Sequence, residues 1–193
     1  KTSFPYQRDV VIVHMDRVQL KSGQTILFTG DSITDADRRE PAYSPLGRGY
    51  VFFAANLLAA RHPQLNLTFR NTGIGGDTTR TLLFRWKKDC LTIRPDILSI
   101  LIGINDVWCQ HTDTEWKTRS VFIDEFRQNY TNMLTRVRDE LDCQLIIVEP
   151  FMFWDTPDNP MYATLKDYIT VIRELAEQFG AIYVPLQKEL DKL

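Results

Sequence analysis

The sequence predicts a doubly wound α/β domain: a five-stranded parallel sheet with helices on both faces. Three observations carry that prediction. Apolar runs of strand length alternate with longer stretches of helical spacing. Residues 96–102 are apolar almost throughout, as a central parallel strand covered on both faces must be. Finally, polar tips follow the first three runs, at the strand ends where open α/β sheets keep their chemistry.

Residues 24–29, with Ile26-Leu27-Phe28, read as the first buried strand. Residues 49–61 place Val51, Phe52, Ala55, Leu58 and Ala59 on one helical face and stop near Pro63. Residues 65–71 alternate apolar and polar, giving the second strand. Residues 78–91 are helical until Arg94-Pro95, and 96–102 form the third strand. Residues 122–141 are the most regular helix, with Phe126, Tyr130, Met133, Leu134, Val137 and Leu141 at spacings of three and four. A fourth strand over 144–148, a helix over 162–179 and a short fifth strand over 181–184 complete the alternation, with Gly180 where a helix C-cap is wanted. Right-handed crossovers then put helices on both faces of one three-layer domain, residues 24–193. Residues 1–23 stand outside the alternation as an N-terminal arm or edge extension, in which Val10 to Val13 suit an edge strand or an arm on a partner subunit. After the fifth strand only the charged stretch 187–193 remains, where such a sheet carries a covering helix. The fold is therefore expected to lack its C-terminal helix.

A chain of 193 residues fits a single domain, burying roughly 70% of its unfolded surface. It is 44% hydrophobic and 25% charged, with a net charge of −2, which leaves no footprint for nucleic acid or an anionic membrane. No apolar run approaches the roughly 18 residues of a membrane span, and no signal peptide opens the chain. Cys90, Cys109 and Cys143 are widely and irregularly spaced without Cys-x-x-Cys, so reduced thiols in a cytoplasmic protein are expected. Because the chain opens on Lys1 rather than Met, a mature secreted form is the alternative.

The chemistry-bearing residues lie at the polar tips. Gly30-Asp31-Ser32-Ile33-Thr34 presents a hydroxyl in the turn from strand to helix, where a positive helix end favours a developing alkoxide. The same residues also suit a helix cap. Gly75-Gly76-Asp77 follows the second strand, and glycine there lets a backbone N–H approach a ligand closely. Gly103-Ile104-Asn105-Asp106 follows the third and supplies a side-chain amide. If the sheet order is the flavodoxin-like 2-1-3-4-5, Ser32 and Asn105 flank the switch-point crevice. The N–H groups of Ser32 and Gly76 and the amide of Asn105 then make an oxyanion hole.

These blocks resemble the SGNH or GDSL family of serine hydrolases. Ser32 matches its nucleophile block, Gly76 its glycine block and Asn105 its Gly-x-Asn-Asp block, in order, over residues 24–184. The phrases Gly-Asp-Ser-Ile-Thr-Asp, Gly-Arg-Gly-Tyr-Val, Arg85-Trp86 and Gly-Ile-Asn-Asp-Val-Trp are most similar to intracellular acetylxylan-esterase-type members. The resemblance implies a fold without metal or cofactor, often oligomeric, that removes acetyl groups from xylose units through an acyl-Ser32 intermediate. Asp31, Trp86, Asp106, Trp108, Phe151 and Trp154 are the expected substrate-side residues, since aromatic faces suit sugar rings. Asp106 also suits a brace between the loops.

One block is missing. The family draws its base and orienting carboxylate from a C-terminal Asp-x-x-His, and none of His14, His62 and His111 stands three residues after an aspartate. The base and its Asp are therefore expected C-terminal of Leu193. A lysophospholipase or thioesterase of the same family, an inactive scaffold that binds sugar or a protein partner, and a phosphate-binding module are the competing readings. The last is disfavoured by Asp31, a carboxylate beside the phosphate.

Overall fold

The computed structural model describes residues 18–153 and 159–192. The expectations for Val10 to Val13, His14 and Trp154 lie outside them. The sheet has five parallel strands: β1 (Thr25–Gly30), β2 (Thr68–Asn71), β3 (Ile97–Leu101), β4 (Gln144–Val148) and β5 (Ile182–Val184), in the order β2-β1-β3-β4-β5. This is the order expected from the sequence. The helices are α1 (Ser32–Asp35), α2 (Tyr50–Arg61), α3 (Thr79–Trp86), α4 (Ile104–His111), α5 (Ile123–Glu140), α6 (Pro160–Gln178) and α7 (Leu186–Leu190).

Strand alternation divides the core in two. Leu27, Leu98, Ile100, Leu145 and Ile147 point to one face, where Leu82 and Trp86 of α3, Phe126 to Val137 of α5 and Leu165 to Ala176 of α6 cover them. Ile26, Phe28 and Ile97 point to the other face, under Val51, Leu58 and Tyr50, with Val18 and Leu20 alongside. On that second face Ile146 and Val148 are only half-buried. At the strand starts, Gln19 N–H donates to Gln144 Oε1 and Gln144 Nε2 donates back to Gln19 O, both at 2.9 Å.

Three segments depart from the expected elements. Residues 104–111, to which the strand–helix alternation assigned no element, form the helix α4, with Val107 and Cys109 turned inward. Gly103 makes the turn into it at φ +132°, where a Cβ would lie 3.2 Å from the Phe126 ring. Residues 78–91 are α3 followed by a π-helical turn, Lys87–Leu91. Residues 63–65 form a short 3-10 turn, so β2 is shorter than the predicted strand.

Candidate active site

The parallel register pairs Gly30 with Leu101 and Phe28 with Asn71, so β1, β2 and β3 end together. Ser32 follows Gly30 by two residues and opens α1, with its side chain exposed. Asn71 fixes the β2 tip against this turn: its Nδ2 donates to Thr34 O at 2.6 Å and Leu46 O at 2.8 Å, and its Oδ1 accepts from Gly73 N–H at 2.9 Å. Asp35 does the same one loop further on, accepting from Gly75 N–H at 2.9 Å. These bonds bring Gly75 so close that a Cβ on it would lie 3.9 Å from Ser32 Cβ.

The third tip is tied in by Asn105, whose Nδ2 donates to Asp77 O at 2.9 Å. Ser32, the Gly75-Gly76 turn and Asn105 are therefore brought to one stretch of the carboxyl edge. Their donors are also unspent. An amide nitrogen carries two hydrogens, and this bond uses one from Asn105. Among the described residues the N–H groups of Ser32 and Gly76 make no hydrogen bond; Ser32 N–H is one of the orphans any helix start leaves.

Behind this edge lies a buried polar layer. Arg85 donates to Asp77 Oδ2 at 2.7 Å, Asp89 Oδ2 at 3.0 Å, Thr72 O at 2.7 Å and Gly30 O at 3.1 Å. Asp106 accepts from the Thr79 N–H at 3.0 and 3.1 Å and from its hydroxyl at 2.5 Å, holding the start of α3. The Asp31 Oδ1 accepts from Ile33 N–H at 3.0 Å, and its Oδ2 has no partner among the described residues. Burial pushes both carboxyls up to about 7.

The predicted substrate-side residues separate accordingly. Trp86 is a correction: it is fully buried, and its indole N–H donates to Met133 O at 3.1 Å, so it joins α3 to α5 and meets no substrate. Asp31 and Asp106, 1% and 0% exposed, are likewise structural rather than substrate contacts. Trp108 on α4 is 37% exposed, and half-buried Phe151 follows β4 with its ring against Phe153. The two described histidines have other placements. His62 caps α2 just before β2 begins, at the opposite edge. His111 ends α4, about 10 Å along its axis from the site, and its Nε2 pairs with Thr164 Oγ1 at 2.9 Å.

Sequence reasoning missed Trp116 and Arg119 on the 3-10 turn Glu115–Arg119. A Cβ on Gly76 would lie 3.1 and 3.2 Å from Trp116 Cζ3 and Cη2, and Arg119 Nη2 donates to Gly76 O at 2.9 Å. No sequence signal marks them, because a loop carries no periodicity. Asp35, Asn71 and Arg85 act through contacts equally invisible in one dimension.

With that geometry in view, residues 28–192 match the GDSL-like lipase/acylhydrolase family. This chain belongs to that family. As a GDSL-family protein it is 34% identical, over 91% of its length and 82% of the relative's, to an acetylxylan esterase of Geobacillus stearothermophilus. The crystal structure of that esterase superposes with a TM-score of 0.84, covering 91% of this chain and 81% of the other. An alpha/beta hydrolase from the metagenome of Lake Arreo, Spain, superposes at 0.82 with 30% identity, covering 89% and 81%. Catalytic mutants of the Geobacillus enzyme replace a serine, an aspartate and a histidine by alanine. The GDSL-family fold and this kinship support a carboxylic-ester hydrolase.

Proposed function

We propose that the protein is a serine esterase that removes acetyl groups from acetylated xylo-oligosaccharides. The observation that carries the reading is the exposed Ser32 hydroxyl beside three unspent donors: Ser32 N–H, Gly76 N–H and the second Asn105 amide hydrogen. Ser32 Oγ attacks the acetyl carbon while the donors take up the charge that develops on the carbonyl oxygen. The sugar hydroxyl leaves, and water then releases acetate from acyl-Ser32.

A serine hydroxyl needs a base to accept its proton. We assign that role to a histidine oriented by an aspartate, in an Asp-x-x-His pair following Leu193. Support comes from the remoteness of His62 and His111, and from the aspartate and histidine altered in the relative's catalytic mutants. Acetyl-xylan specificity rests on the 34% identity to the Geobacillus esterase, with Trp108 and Phe151 as exposed and half-buried aromatic surface at the same edge.

A competition assay tests the substrate. Full-length protein is given an acetylated xylo-oligosaccharide and a palmitoyl ester together. Acetate release should dominate and vanish in Ser32→Ala. Faster palmitate release would place the protein among the lipid-directed members instead.

A further inference from the structure

We propose that Trp116, braced by Arg119, is the wall that restricts the acyl pocket to short chains. The inference rests on the esterase reading above and assigns its acyl specificity. The Trp116 ring is held on three sides. Its benzo edge faces Gly76, on which an added Cβ would stand 3.1 Å from Cζ3 and 3.2 Å from Cη2. The Arg119 guanidinium stacks on it 4.5 Å from the ring centroid. Trp108 packs edge-on, with centroids 5.9 Å apart and planes at 60°. Arg119 also grips Gly76 O, so one guanidinium fixes both the wall and the peptide beside it.

This placement makes the ring a stop rather than a platform for a sugar. A guanidinium already occupies one face, and the part nearest the site is an edge. An ester oxygen accepting from Gly76 N–H must come within about 3 Å of that nitrogen. The acyl carbon, bonded to that oxygen, then sits beside Gly76, and its substituent extends into space that the indole bounds. A methyl group is accommodated there, and each added methylene approaches the fixed ring. Gly76 itself, at φ +78°, admits no side chain, because a Cβ there would crowd the indole.

The test compares kcat/KM on 4-nitrophenyl acetate and 4-nitrophenyl butyrate for full-length protein and its Trp116→Ala and Trp116→Phe variants. The butyrate-to-acetate ratio should rise on the order of 10-fold in Trp116→Ala and by less in Trp116→Phe. A residue that merely packed the loop would lower both esters in proportion. A ratio held within about twofold in both variants, with Ser32 still labelled by a fluorophosphonate, would overturn the wall and leave the esterase reading standing. Failure of unaltered full-length protein to label at Ser32 would overturn the esterase reading, and the wall with it.

Discussion

Asp31 and Asn105 show how single side chains divide the work at this edge. Asp31 is sealed under the Ser32 turn with one oxygen unpartnered among the described residues, and burial pushes its carboxyl up to about 7. The unfolded chain releases that proton near pH 4, whereas the folded chain holds it until near 7. The folded state therefore loses stability as pH rises through this window, on the order of 1 kcal/mol per pH unit for each such group. Asp31→Asn keeps the bond from Ile33 N–H and removes the titration. Urea midpoints taken between about pH 5 and pH 7 should fall less steeply for the variant than for the parent. Superimposable slopes would contradict the assignment. Asn105 instead offers a neutral hydrogen to the transition state. Asn105→Ala should lower kcat on the order of 100-fold with KM little changed, read from initial rates on 4-nitrophenyl acetate. An unchanged kcat would remove it from the oxyanion hole.

Between elements, Arg85 of α3 is the clasp. Its side chain is 11% exposed and spans the tips of β1 and β2 and the π-helical turn. Its removal leaves the buried Asp77 carboxylate without a counter-charge, held only by the Thr81 hydroxyl at 2.8 Å, and takes a donor from Thr72 O, so Arg85→Ala should cost about 3 kcal/mol by urea denaturation. A loss below about 1 kcal/mol would mean it behaves as a surface pair. None of this clasp was legible in the sequence, since Arg85 and Gly30 are brought together only by the fold. The strands and long helices were legible, because burial imposes a period of two or about 3.6 on them. Trp86 was legible too, yet misread. Four residues after Leu82, it shares that residue's inward face, a helical spacing that outweighs its nearness to the site blocks. The helix α4 went unread because its first turn, Ile104-Asn105-Asp106, has the composition of a loop.

At the scale of the whole molecule, the flavodoxin-like strand order brings the loops carrying Ser32, Gly76 and Asn105 to the ends of adjacent strands. That much of the site was readable because parallel α/β sheets gather their loops at one edge. What one dimension concealed was the packing of loop on loop: Trp116 against Gly76, and Arg119 across both. The central claim is that Ser32 is the nucleophile, and the most direct measurement is peptide mapping of full-length protein after exposure to a fluorophosphonate. The account predicts a single adduct, on Ser32, lost in Ser32→Ala. An adduct on any other serine, or none in protein that still hydrolyses acetate esters, would contradict it.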